Sequence, residues 1–234
     1  MLEQSEVFSF RSGGATVSGE SPVPAEGASR EIAARLGGVV LCGGQAKRLG
    51  GVEKGLLSLE GKPVAQHAAE RLRPQVSWLA LSVNRERERY AALGLPVLPD
   101  LRSGFCGPLA GVEAAWSSLP RRLSFLLTVP GDAPFLPEDL GERLLRGMEA
   151  CGGRGAYAHD GVRGQFLCAL FARQCEPLLR NFLDRGGRRA EEFLQSIGAT
   201  AIDFSGRAAD FWNVNSPEDW ERIRRRAAAE QEGR

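Results

Sequence analysis

The stretch LCGGQAKRLGGVEKG, Leu41 to Gly55, combines glycines with Lys47, Arg48 and Lys54 and carries little bulk. Such a segment suits phosphate, because residues without a Cβ let backbone N–H groups approach anionic oxygens closely. It is not a P-loop: no window supplies G-x-x-x-x-G-K-[ST], and Gly61-Lys62-Pro63 puts proline where the hydroxyl should stand. The G-x-G-x-x-G spacing of a dinucleotide fold is absent too. Elsewhere, Pro130-Gly131-Asp132-Ala133-Pro134 holds a carboxylate between prolines, while Asn84 and Asp100 each follow an apolar run. A carboxylate in a rigid turn is a hard-oxygen ligand of the kind magnesium takes, together with substrate phosphates and water.

Short apolar runs alternating with amphipathic stretches would position these groups. GVVLC (38–42), VSWLALSV (76–83), LPVLP (95–99) and SFLLTV (124–129) read as strands. Between and after them, 63–74, 86–93, 107–119 and 136–150 read as helices, three of them opened by proline near the first turn. GQFLCALF (164–171) and ATAIDF read as later strands, and 173–184 and 188–197 as helices. Ser216-Pro217-Glu218-Asp219 starts a closing helix whose arginines crowd its C-terminal half, a solvated and dipole-matched end. This alternation predicts an α/β fold: a three-layer α/β/α, Rossmann-like domain on a mainly parallel central sheet. The expected domain runs over 36–228, preceded by a flexible tail over 1–35 rich in Ser, Gly and Pro, with a short helical turn at its end (30–35).

In such a sheet, ligands bind beyond the carboxyl ends of the strands. Those ends deliver glycine and cations after GVVLC, Asn84 after LALSV, Asp100 after LPVLP and Asp132 after SFLLTV. Taken singly, a glycine pair followed by bases is a tight surface loop, and Pro-Gly-Asp is ordinary turn chemistry. Together they favour a magnesium-nucleotide site.

Composition narrows the class. The 234 residues are 43% hydrophobic and 25% charged with a net charge of +1, so neither nucleic acid nor an anionic membrane is an expected partner. No apolar run reaches the roughly 18 residues of a membrane span. No secretory signal is expected from the N-terminus, and five scattered cysteines without C-x-x-C suggest reduced thiols in a cytoplasmic protein. With only His67 and His159, neither a zinc cluster nor a histidine-based hydrolase is expected.

The chain resembles the molybdenum cofactor guanylyltransferases, whose signature is written L-A-G-G-x-x-x-R-x-G-G-x-D-K-G. LCGGQAKRLGGVEKGLLSLEGKPVAQH follows it, and the likeness continues through Asn84-Arg85, Leu98-Pro99-Asp100, Gly107 to Gly111, Pro130 to Pro134, Asp203 to Ser205 and Asn213 to Glu218. It spans about Leu36 to Arg224. Cys42 stands for the usual alanine and Glu53 for aspartate, both mild changes, and the segment 162–167 lacks the histidine-proline pair of some members. The resemblance implies transfer of GMP from magnesium-GTP to the terminal phosphate of molybdopterin, with release of pyrophosphate. It implies that Leu41, Cys42, Gly43 and Gly44 meet the guanine nucleotide and that Arg48 and Lys54 meet its phosphates. Asn84 (or Ser82) and Asp100 would lie around base or ribose, Asp132 would bind magnesium, and Asn213 and Asn215 would lie near the metal and the pterin. Arg48, Lys54 and Asp132 are the expected catalytic set. Gly44 points to guanine, since cytidylyltransferase relatives tend to carry L-A-A-G. Transient contact with molybdopterin-delivering and molybdoenzyme-maturation proteins is implied as well. The alternatives are a related enzyme using CTP or a sugar phosphate, and a non-catalytic nucleotide-binding partner.

Overall fold

The computed structural model describes residues 26–42, 53–104 and 106–232. The chain opens with α1 (Glu26–Arg35) and passes directly into β1 (Leu36–Leu41). A two-residue-strand hairpin follows, β2 (Ser58–Leu59) and β3 (Lys62–Pro63), then α2 (Val64–Leu72), β4 (Trp78–Ser82), α3 (Arg87–Ala91), β5 (Val97–Leu98), α4 (Pro108–Ser118) and β6 (Phe125–Pro130). The second half runs α5 (Leu140–Ala150), β7 (Gly155–His159), β8 (Gly164–Ala172), α6 (Glu176–Asp184), α7 (Ala190–Ser196), β9 (Thr200–Asp203) and α8 (Pro217–Glu232).

Seven strands form one sheet in the order β5-β4-β1-β6-β8-β7-β9. β5, β4, β1 and β6 are parallel neighbours, β8 runs antiparallel to both β6 and β7, and β9 is parallel to β7. The expected mainly parallel sheet is therefore present, with one reversed strand. β1 and β6 read as continuous apolar text because helices cover both faces. Leu36 and Val40 of β1, with Leu127 and Val129 of β6, pack with α2 and α5 on one side. Val39, Leu41 and Leu126 pack with α4, α6 and α7 on the other. Gly37 is required by this closeness: a Cβ there would stand 2.1 Å from Leu119 Cδ1 at the end of α4. A third cluster seats α8, through Ile223 and Ala227, against Leu59, Val64, Phe135 and Val214.

Three features depart from the sequence reading. The N-terminal segment read as a tail ends in a ten-residue helix rather than a short turn, and α1 is held on α5 by Arg35–Glu149 at 2.6 Å and Ser29–Glu142 at 3.0 Å. Its polar sequence hides this, because one apolar side chain, Ile32, packs against the core while Ser29 and Arg35 dock through polar contacts. The helix expected over 136–150 begins at Leu140. Gln75 accounts for the delay: its amide accepts from Gly141 N–H and donates to Pro137 O, holding 137–139 as a turn. β7, GAYAH, passes unread because small residues carry no strand signal, and its place comes from pairing on both sides.

Candidate active site

The strand ends align. Leu41 is paired with Ser82 on one side and Pro130 on the other, and Ser82 is paired with Leu98. The residues that follow, Cys42, Asn84, Asp100 and Asp132, therefore leave one rim of the sheet, across the point where strand order reverses between β1 and β6. From β5 to β6 the rim covers three strand spacings, roughly 14 Å.

At the β6 end, Lys54 reaches back to Asp132. Its ammonium donates to Asn215 Oδ1 at 2.7 Å and stands 3.8 Å from Asp132 Oδ2, both charged side chains being 22% exposed. Three segments far apart in sequence meet here. Lys54 rides on a 3-10 turn (Lys54–Leu56) closed by Leu56 N–H to Glu53 O and Leu57 N–H to Lys54 O. Asp132 is fixed by its own main chain, whose carbonyl accepts from Val214 N–H at 3.0 Å. Asn215 is fixed by the start of α8: Asp219 accepts from the N–H groups of Asn215 and Ser216, and Ser216 Oγ accepts from Asp219 N–H. That reciprocal arrangement is a capping box, written in the sequence as S-P-E-D.

Burial pushes the Asp132 carboxyl above the usual carboxylate range, against the opposing pull of Lys54. Burial, aided by the charges of Asp132 and Glu53, pushes the Cys42 thiol far above its ordinary value. The thiol is therefore neutral and not a nucleophile, and Cys42 acts as the small residue the rim needs.

At the β4–β5 end, Asn84 and Asp100 bind each other: Asn84 Nδ2 donates to Asp100 Oδ2 at 2.8 Å, and Asp100 N–H donates to Asn84 Oδ1 at 2.9 Å. Burial raises the Asp100 carboxyl, the Asn84 bond opposing. The loop beyond it is clamped by Arg102, which binds Glu113 of α4 through two bonds of 2.6 and 2.7 Å and Asp184 of α6 at 2.7 Å. Glu113 is 6% exposed, and the bidentate guanidinium is what makes that buried charge tolerable.

Of the expected site residues, Leu41, Cys42, Lys54, Asn84, Asp100, Asp132, Asn213 and Asn215 are described and lie on or beside this rim; Gly43, Gly44, Lys47 and Arg48 lie outside the described residues. Ser82 is buried beneath the rim against Gly111 of α4. Asp203 holds its own turn by accepting from Ser205, and Phe204 is a core residue, so that motif is structural. The reading missed Arg102 and Glu113, whose partners lie on other elements. It also missed Tyr90, which reads as one apolar position of an amphipathic helix.

Among the described residues no group of three or more His, Cys, Asp and Glu side chains is placed to hold a metal. The rim instead offers the Asp132 carboxylate, and the segment whose Val214 N–H binds the Asp132 carbonyl carries the amide oxygen of Asn213, buried without a hydrogen-bond partner among the described residues. One carboxylate with a neutral oxygen fits a hard cation completed by substrate phosphate and water.

A mainly parallel sheet with helices on both faces, and with a lysine, amides and carboxylates on its carboxyl rim, places the protein among the α/β folds that take a nucleotide at the strand ends. Residues 38–200 match the MobA-like NTP transferase domain family. Molybdenum cofactor guanylyltransferase from Yersinia pestis is 40% identical over 191 residues, covering 80% of this chain and 96% of its own. The Pasteurella multocida protein of the same name is 42% identical over 179 residues, covering 76% and 93%. The crystal structure of molybdopterin-guanine dinucleotide biosynthesis protein A from Archaeoglobus fulgidus superposes with a TM-score of 0.68 at 21% identity, covering 82% of this chain and 98% of that one. This chain belongs to the MobA-like NTP transferase family, among relatives named molybdenum cofactor guanylyltransferase.

Proposed function

We infer that this protein transfers GMP from GTP to the terminal phosphate of molybdopterin, forming the guanine dinucleotide and releasing pyrophosphate. The observation that carries the reading is the convergence of Lys54, Asp132 and Asn215 at the switch point, with Asn84 and Asp100 further along the same rim. The relatives' shared name and the identity of 40% supply the particular reaction.

The acceptor is a phosphate monoester, anionic near neutrality, so it needs no strong base. The histidines agree: His67 is bonded to Leu59 O, and the His159 ring accepts from Gly161 N–H within its own hairpin. What the reaction requires is alignment and stabilisation of charge on the phosphates. Lys54, held by Asn215 beside Asp132, is poised to take a phosphate oxygen in place of its present partners. Asn84 and Asp100 present a paired amide and carboxylate for base or ribose hydroxyls. Asp132 with Asn213 would hold magnesium, which when bound neutralises charge on the reacting phosphate and the leaving pyrophosphate. Neutral Cys42 keeps the rim narrow enough for backbone to approach the nucleotide.

Binding at this rim does not require a membrane, and no helix among the described residues is long and apolar enough to cross one. The test is pyrophosphate release with magnesium and each of four nucleoside triphosphates, with and without molybdopterin. Release with GTP that depends on molybdopterin is expected. A preference for CTP would shift the assignment to cytidylyl transfer, and GTP binding without turnover on authentic molybdopterin would point to a non-catalytic partner.

A further inference from the structure

Tyr90, on α3, is fully buried, and its hydroxyl has no hydrogen-bond partner among the described residues. A buried polar group left unpaired is costly, and phenylalanine would fill the same space without that cost. The hydroxyl is not directed into apolar core. A Cβ built on Gly55 would stand 2.5 Å from Tyr90 Oη and 3.3 Å from Gly131 O, so the oxygen lies directly under the turn that carries Lys54. The charged groups near enough to be felt at the ring oxygen are Glu53, Asp132 and Arg89. Two are carboxylates, and the Gly131 carbonyl lies by the same turn, so acceptors stand in the neighbourhood of a hydroxyl that none of the described residues pairs.

Lys54 supplies the reason for a donor in reserve. Its ammonium is engaged with Asn215 and Asp132. A phosphate oxygen that takes this ammonium replaces those partners, and any accompanying movement of the short turn of Glu53, Lys54 and Gly55 is felt by the hydroxyl below. Gly55 has no side chain to block that shift. A displacement of well under 1 Å separates an unbonded contact from a hydrogen bond.

We propose that Tyr90 is a positioning residue for Lys54, its hydroxyl, unpaired among the described residues, donating a hydrogen bond to the Lys54-bearing turn or an adjoining carboxylate once the nucleotide is bound. The assignment rests on the reading of this rim as a GTP site. It makes the orphan hydroxyl a stability cost at rest that is recovered as affinity on loading.

The experiment compares the parent with Tyr90→Phe in two measurements: melting of the ligand-free protein in a chelator, and titration with magnesium-GTP. The ligand-free variant is expected to melt about 2–4 °C higher, since an unpaired buried hydroxyl has been removed. Its GTP affinity is expected to be roughly 5-fold weaker, the scale of one neutral hydrogen bond. A purely structural tyrosine would not move the two in opposite directions. A ligand-free melting temperature at or below the parent's, or an unchanged GTP titration, overturns the assignment. A parent chain that fails to bind GTP overturns the functional reading as well, whereas GTP binding that is equal in parent and variant overturns the role of Tyr90 alone.

Discussion

Asp132→Asn separates what the site costs from what it does. The lost attraction is that of Lys54 Nζ at 3.8 Å. This is worth about 1 kcal/mol at the dielectric of water and about 4 kcal/mol at an effective constant near 20. Burial opposes it and prevails, because the Asp132 carboxyl lies above its ordinary value despite Lys54. For an acid raised in this way, folding is unpenalised below the unfolded value. The penalty builds as pH rises from there through the folded value and is complete above it. With divalent ions chelated, the asparagine variant should therefore be at least as stable as the parent at neutral pH. The difference should close as pH falls, where the parent carboxyl is protonated and resembles the amide. Pyrophosphate release should fall by roughly 100- to 1,000-fold, the scale of one lost electrostatic contact at a reacting oxygen. The assays are thermal melting against pH in chelator and steady-state pyrophosphate release with magnesium-GTP and molybdopterin. A variant markedly less stable than the parent at neutral pH would refute the claim that burial outweighs Lys54. Near-parental turnover would refute the placement of the phosphates.

Other substitutions probe neighbouring parts. Lys54→Met keeps the aliphatic stem and leaves the carboxylate of Asp132 without its cation; turnover should fall about 100-fold or more, and retained kcat/KM for GTP would place the phosphates elsewhere. Gly55→Ala drives a methyl into Tyr90 Oη at 2.5 Å, so thermal melting should show a destabilisation of about 1–3 kcal/mol. Adding Tyr90→Phe should recover part of that loss and not all, because Ala65 Cβ at 3.2 Å and Gly131 O at 3.3 Å remain. Arg102→Met strands Glu113 inside α4 and should cost about 3–5 kcal/mol in urea unfolding, with Glu113→Gln in the same chain recovering much of it.

Much of the fold was legible because its signals are local. β1, β4 and β6 are apolar runs, Pro108 opens α4, and Ser216 and Asp219 cap α8 before any tertiary contact is known. β7 and the β2–β3 hairpin were not legible, since a strand of Gly and Ala or a strand of two residues acquires its identity from a partner. The same division holds at the site. Lys54, Asp132, Asn84 and Asp100 declare themselves by type and by position after strands, whereas Asn215 is expected through the family resemblance. Arg102 and Glu113 do not, because a clamp between a loop and two helices has no period.

Most of the strands and helices, the family, and the residues expected to meet a nucleotide follow from the sequence alone, because periodicity, capping and motif spacing are properties of neighbours along the chain. That Leu41, Ser82, Leu98 and Pro130 finish level, that Lys54 crosses to Asp132 and Asn215, and that the Tyr90 hydroxyl lies beneath Gly55 were decided by the tertiary structure. Distances between segments separated by scores of residues, and the burial that shifts a carboxyl's protonation, are set only when helices close on both faces of the sheet.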